Sequence, residues 1–256
     1  MKERLTMKKS AITKFLSILA LITPLSSYAI LNGVAVTANE YDTSPVVGIY
    51  KQEPGKTSTK ICTGTLLNPT TILSAAHCFL KLDSLVINVF RGLNLYSSNR
   101  IDIKINNSQV TIHPKYDSER DLYDIAIIKL NQPIDLTESV AYPILANSVD
   151  FENFIIYGYG RDLNQKTGVI NKATKTKSQI FPSPLGKENF LVFNQTDLTG
   201  ITKGDSGGPV FAVVGSTRYL VAVASNVGGS IGNIQGTVAS FSTKVSSVLD
   251  WIKSYM

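Results

Sequence analysis

The segment Gly204-Asp205-Ser206-Gly207-Gly208-Pro209 constrains this chain more than any other stretch. Glycines on both sides of a single serine let the backbone take a tight, open conformation that presents a hydroxyl beside unshielded N–H donors. Acyl transfer needs that combination: a nucleophile, and donors for the charge that develops on the attacked carbonyl oxygen. A serine hydroxyl is a poor nucleophile at neutral pH, so it requires a base within hydrogen-bond reach and a third group that orients the base. The chain contains only two histidines, His77 and His113. His77 ends the run Thr71-Thr-Ile-Leu-Ser-Ala-Ala-His-Cys78, an apolar strand passing into small residues that let an imidazole approach other groups closely. His113 instead precedes Pro114 in a polar turn, which leaves His77 as the expected base.

Three separated motifs agree with this choice. Leu73-Ser-Ala-Ala-His-Cys78, Asp124-Ile-Ala-Ile-Ile-Lys-Leu130 and Gly204-Asp-Ser-Gly-Gly-Pro209 resemble the His, Asp and Ser motifs of the trypsin/chymotrypsin family of serine endopeptidases. His113-Pro-Lys-Tyr116, Gly158-Tyr-Gly160 and Val245-Ser-Ser-Val-Leu-Asp-Trp-Ile252 extend the similarity in the same order, from about Ile30 to the C-terminus. The resemblance implies roles: Ser206 as nucleophile, His77 as general base, Asp124 as the acid that orients it, and the N–H groups of Gly204 and Ser206 as the oxyanion hole. Gly204-Asp-Ser-Gly-Gly208 also fits the G-x-S-x-G elbow of α/β-hydrolases, but those run Ser, acid, His along the chain and no histidine follows Ser206. A catalytically silent relative acting as a binding or adhesive protein is the other class of function; such proteins typically lose His or Ser, and this chain keeps both.

The resemblance implies an all-β fold of two six-stranded antiparallel β-barrels with a C-terminal α-helix and the site in the cleft between them. Residues 30–135 would supply His77 and Asp124, and residues 136–256 would supply Ser206, the oxyanion hole and the substrate pocket. The residues themselves support the class. Val46–Tyr50, Leu85–Phe90, Phe154–Tyr157 and Tyr219–Ala224 are short β-branched and aromatic runs separated by Gly, Pro, Asn and Ser. Val245, Val248, Leu249 and Ile252 recur at helical intervals, with Ser242 expected as the N-cap. Segments 51–60 and 164–179 lack periodicity and read as exposed loops.

The N-terminus reads as a signal peptide over residues 1–29. Five basic residues flank the apolar run Phe15–Ile22, which is too short to span a bilayer and is followed by the small-residue site Ser27-Tyr28-Ala29. The leader holds five basic residues and one acid, 5 − 1 = +4, so the formal +6 of the whole chain leaves 6 − 4 = +2 for the mature protein. That is an ordinary surface charge, and no basic stripe interleaved with aromatics points to nucleic acid. The expected protein is secreted or periplasmic, monomeric and free of the membrane once mature, with protein or peptide substrates and protein inhibitors as its partners. Cleavage after Ala29 would leave Ile30-Leu-Asn-Gly33 at the start, similar to the family's activated N-terminus. There the resemblance implies that the Ile30 ammonium pairs with Asp205, with no separate propeptide.

Two cysteines in an exported chain suggest one bridge, Cys62 to Cys78, beside His77. A Cys62/His77/Cys78 metal site is the competing reading, and the spacing fits no zinc pattern. No cofactor is expected; the family's calcium-binding stretch would lie near residues 90–105, which hold Asp102 as their one acid. By the same resemblance the pocket floor falls at Gly200 and its wall at Ser225 and Val227, in a register open by a residue because Gly228 and Gly229 follow, with Ala239 or Ser240 as the far wall. Asp197 lies three positions before Gly200, so the floor is expected to be uncharged, and Val227 would narrow the mouth. This implies cleavage after small or medium apolar residues.

Overall fold

The computed structural model of the protein describes residues 30–52, 59–80, 86–134, 140–162, 166–184, 186–231 and 234–256. The signal-peptide reading, the tip of the 51–60 loop and the expected domain junction at 135/136 fall outside the described residues. The chain enters through β1 (Val34–Ala35) and a one-turn helix α1 (Ala38–Asp42). A first sheet follows, made of β2 (Val46–Gln52), β3 (Thr59–Asn68), β4 (Thr71–Ser74), β5 (Val86–Arg91), β6 (Ile101–Ile105), β7 (Val110–Ile112) and β8 (Ala126–Lys129). Their spatial order is β6-β5-β2-β3-β4-β8-β7, antiparallel throughout. Val47, Ile49, Leu66, Ile72, Val89 and Ile128 fill its interior.

The second sheet is built from β9 (Ile144–Leu145), β10 (Asn153–Gly158), β11 (Asn171–Thr176), β12 (Ile180–Phe181), β13 (Phe190–Asn194), β14 (Pro209–Val214), β15 (Thr217–Ile231) and β16 (Ile234–Lys244). The order is β1-β11-β10-β14-β15-β16-β13-β12, with β9 parallel to β15. Six longer strands carry this sheet, and the two-residue segments β1, β9 and β12 extend it. Phe154, Ile156, Leu191, Phe193, Val210 and Val221 form its interior. The architecture is the all-β double barrel that the resemblance implied. A one-turn C-terminal helix α2 (Leu249–Lys253) buries Ile252 in a third cluster with Leu73 and Ile127 of the first sheet and Phe211 and Leu220 of the second. Among the described residues no helix is long and apolar enough to cross a membrane.

Three local readings are corrected. The segment 51–60 is not all exposed loop, because Lys51 and Gln52 end β2, Thr59 and Lys60 open β3, and Lys51 is buried. Ser242 does not cap a helix: β16 continues to Lys244, Ser242 pairs with Leu191 on one side and Ala224 on the other, and α2 begins after Val248 with no side-chain cap. The segment 164–179 is not all loop, because Asn171–Thr176 forms β11 against the full length of β10. Its inward positions are Asn171, Ala173 and Lys175, so the alternation is real but polar and escapes a search for apolar period two.

Beside the shared apolar cluster, polar links join the two sheets. Thr63 on β3 donates its N–H to Ser206 O at 2.8 Å and its hydroxyl to Gly204 O at 3.2 Å, while Tyr159 N–H donates back to the same hydroxyl at 3.1 Å. The fully buried Tyr159 hydroxyl reaches Gly92 O at 2.7 Å and Tyr41 Oη at 2.8 Å. These contacts set the serine loop against the first sheet.

Candidate active site

His77 sits in a 3₁₀ turn, Ala76–Phe79, at the end of β4. Apolar Ile72 and Leu73 anchor β4 in the interior, and Ala75 and Ala76, both fully buried, leave room for the turn to fold close to Asp124. Asp124 lies two residues before β8, which pairs with β4, so the register brings the two segments side by side. Asp124 is fully buried and its charge is met by three donors: His77 N–H to Oδ1 at 2.8 Å, and His77 Nδ1 and the Ser225 hydroxyl to Oδ2, each at 2.6 Å. This geometry places the Nδ1 proton toward Asp124 and leaves Nε2 as the acceptor. Ser225 was expected only as pocket wall; its contribution to Asp124 is a role the sequence did not signal, because the residue stands 101 positions away.

Ser206 lies in the loop before β14. Its hydroxyl donates to Ser225 O at 3.4 Å and makes no hydrogen bond to His77. The two residues share a neighbour: Cys78 Sγ lies 4.0 Å from His77 Nε2 and 3.8 Å from Ser206 O. The His77 ring and the Ser206 backbone thus lie on either side of the Cys78 sulfur, while the Ser206 hydroxyl is turned to Ser225 O on the second sheet. His113 is packed elsewhere, nearly buried between a stacked Tyr123 ring at 5.1 Å and the edge of Trp251 at 4.7 Å, with Nδ1 accepting from Lys115 N–H at 3.2 Å. Burial, aided by the Lys115 charge, pushes its pKa down.

The loop around Ser206 is held from within. Gly204 has φ +101°, a conformation open to glycine. The N–H groups of Asp205, Gly207 and Gly208 donate to Thr202, Ala224 and Asp205 carbonyls, whereas those of Gly204 and Ser206 donate to no backbone carbonyl among the described residues. Asp205 itself is fully buried, with Oδ1 accepting from Gly160 N–H and Oδ2 from Thr202 N–H, each at 2.8 Å. Burial pushes its pKa up to about 7, against the two backbone bonds that lower it. The Gly158-Tyr-Gly160 motif is explained here: a Cβ at either glycine would lie 2.0 or 2.6 Å from Asp205 Oδ1.

Ile30 is fully buried in the second core with a left-handed φ of +62°, and the next residue, Leu31, forms a two-bond bridge with Gly200 at 2.8 and 3.2 Å. Residues expected as an N-terminal pair partner and as a pocket floor therefore adjoin one another along the chain's first described turn. Asp197 is salt-bridged to a buried lysine. Its carboxylate takes Lys175 Nζ at 3.0 and 3.2 Å and Gln179 Nε2 at 2.9 Å. Val227 is half-buried against the second core, on β15 beside Ser240 of β16.

Cys62 and Cys78 form a disulfide. Although Cys62, His77 and Cys78 cluster within 4.8 Å, both sulfurs are consumed by the bridge, so the metal reading fails for lack of thiolates. A buried lysine on β2, Lys51, donates to Cys78 O and secures the same turn; burial lowers its pKa to about 8, with Lys60 adding to the effect. Asp102, the acid of the 90–105 stretch, is paired with Arg100 at 2.9 Å. The family model described as Trypsin matches residues 32–252.

Proposed function

The chain belongs to the trypsin family, and from that premise we propose that it is an exported serine endopeptidase that hydrolyses peptide bonds through an acyl-enzyme. The observation that carries the reading is the buried Asp124 carboxylate bonded to His77 Nδ1 at 2.6 Å, with the opposite ring nitrogen 4.0 Å from Cys78 Sγ, a sulfur that lies 3.8 Å from Ser206 O. In this reading a rotation of the Ser206 side chain away from Ser225 O brings its hydroxyl to Nε2 as substrate binds. Ser206 Oγ attacks the scissile carbonyl while Nε2 takes its proton. Asp124 keeps the proton on Nδ1 and stabilises the imidazolium that forms. The Gly204 and Ser206 N–H groups, left without carbonyl partners, bind the oxyanion, where loss of one such donor typically costs roughly 100- to 1,000-fold in rate. Protonated His77 then returns its proton to the leaving amine, and water completes the second half of the cycle.

Activation follows from Asp205 and Ile30. Cleavage after Ala29 would place an ammonium at an already buried residue, where it would neutralise a carboxylate that burial holds out of its ordinary range. Cleavage there also removes the left-handed φ of Ile30, which is strained for a β-branched residue. Residues 30–135 and 136–256 divide the work, the first supplying base and acid, the second supplying nucleophile, oxyanion donors and pocket. The pocket is uncharged, since Asp197 is engaged by Lys175, and Val227 restricts it to small or medium side chains. The test is hydrolysis of a peptide library by the chain beginning at Ile30: cleavage after uncharged residues, abolished by Ser206→Ala and by His77→Ala, is expected. Arg- or Lys-linked bonds cleaved faster than uncharged ones would overturn the pocket, and an inert wild-type chain would favour a binding protein.

A further inference from the structure

The stretch 90–105 has its one acid, Asp102, paired with Arg100, and another part of it is fastened across the two barrels. Leu95 N–H donates to Gly168 O at 2.7 Å and Ile170 N–H to Leu93 O at 3.0 Å, which sets Asn94 opposite Val169 in a bridge. Asn94 then fixes the backbone that follows: its side-chain oxygen accepts from Tyr96 N–H at 2.8 Å and its carbonyl from Ser97 N–H at 3.1 Å. Tyr96 is 68% exposed and Val169 38%, although both stand on backbone held by these bonds. Gly168 allows the close approach. A Cβ there would meet Leu95 Cβ at 2.9 Å, Tyr96 Cε2 at 3.3 Å and Ile61 Cδ1 at 3.4 Å, and its φ of +92° suits glycine.

Ile61 carries this apolar surface to the serine loop. It precedes Cys62 on β3, packs against the cluster that the barrels share, and its Cγ2 lies 3.1 Å from where a Cβ on Gly204 would stand. Tyr96, Gly168, Ile61 and Gly204 are thus successive neighbours. The serine loop itself has two flanks. On one, the Ser206 hydroxyl turns to Ser225 O of β15 at 3.4 Å; on the other, Ser206 O accepts from Thr63 N–H of β3 at 2.8 Å. The pocket proposed for the residue before the scissile bond has Ser225 and Val227 as its wall, on the β15 flank. A substrate seated in that pocket leaves the nucleophile over β3, where Ile61 shares the face of Thr63.

We propose that Ile61, Tyr96 and Val169 form a shelf that binds a large apolar side chain two or three residues beyond the scissile bond, on its leaving-group side. The proposal rests on the serine-endopeptidase reading and extends its specificity past the bond that is cleaved. An extended substrate advances about 3.3 Å per residue with its side chains on alternate faces, so of these two positions one faces the shelf. Binding there costs the protein little, because an aromatic ring on an already fixed backbone supplies contact area with few torsions to freeze. A small polar side chain at the same place leaves the exposed apolar surface in water.

The test compares kcat/KM of the chain beginning at Ile30 on internally quenched peptides that are identical up to the scissile bond. Beyond it they carry Phe, Leu or Ser at the second or at the third residue. At one position or the other, Phe and Leu are expected to exceed Ser by about five- to tenfold, the gain from desolvating one face of a large side chain. Tyr96→Ser and Val169→Ser should each shrink the Phe-to-Ser ratio, a readout that a general loss of folded enzyme does not move. Wild-type cleavage of the Ser peptides as fast as the Phe peptides at both positions overturns the shelf, and so does a ratio that Tyr96→Ser leaves unchanged. In either case, cleavage that disappears in Ser206→Ala leaves the endopeptidase reading standing on its own, whereas no cleavage of any peptide overturns both.

Discussion

Asp205 offers a quantitative test of how the N-terminus is used. With residues preceding Ile30 still attached, its carboxyl is fully buried, bonded only to two backbone N–H groups, and pushed from its ordinary 3.8 up to about 7. Below about pH 4 the group is neutral in the folded and the unfolded chain, and folding is indifferent to it. Between about 4 and 7 the unfolded chain ionises while the folded chain stays protonated, so stability falls as pH rises. Above about 7 both are ionised and the full cost is present. At about 1.4 kcal/mol per pKa unit, the interval from 3.8 to about 7 amounts to about 4 kcal/mol. An ammonium at Ile30 would remove this cost by pairing with the ionised carboxylate. The assay is urea unfolding at pH 4.5 and pH 7.5 for two forms, one starting at Ile30 and one carrying an acetylated Ala29 before it. Other carboxylates titrate alike in both and cancel in the difference. The extended form should lose about 3 to 4 kcal/mol more than the Ile30 form between the two pH values, and Asp205→Asn should abolish the gap. Equal pH dependence in the two forms would refute the pairing of Ile30 with Asp205.

Four further outcomes are expected. Ser225→Ala removes one of three donors to the buried Asp124 carboxylate and should lower kcat by about tenfold with KM little changed, read by steady-state kinetics. Replacing both Cys62 and Cys78 by Ser opens a loop of sequence separation 16 and should cost about 3 kcal/mol in urea unfolding. Gly160→Ala drives a Cβ to within 2.6 Å of Asp205 Oδ1 and should lower the thermal midpoint, by an overpacking cost of about 1–3 kcal/mol, and reduce activity with it. At Lys175, fully buried beside a half-exposed Asp197, Met should change stability by less than about 1 kcal/mol while Ala costs about 3, measured by the same unfolding assay.

Much of this molecule can be read from residues near one another in the chain. The strands Val46–Gln52, Asn153–Gly158 and the Tyr219–Ala224 part of β15 follow from β-branched and aromatic content, and they form because each buries apolar residues against a neighbour. His77, Asp124 and Ser206 stand in distinctive local motifs, and the turn chemistry of each explains its position. What escapes sequence reading is polar and long-range. Strand β11 carries a buried lysine on its inward face, tolerable because Lys175 reaches Asn194 O and Asp197 from a strand 19 residues away. Ser242 has the identity of a helix cap and the location of a barrel interior, since tertiary pairing with Leu191 and Ala224 outweighs its local preference. Thr63, which joins the serine loop to Tyr159, and Gln195, which fills the space above Gly200, belong to no motif and matter only through partners that folding brings to them.

Mass spectrometry of the Ile30-starting chain after reaction with an alkyl fluorophosphonate addresses the activated hydroxyl most directly. One adduct per chain, mapped to the Ser206 peptide and lost in His77→Ala, is the result that a hydroxyl served by the imidazole of the first barrel must give. An unmodified Ser206, or labelling that persists undiminished without His77, would contradict it.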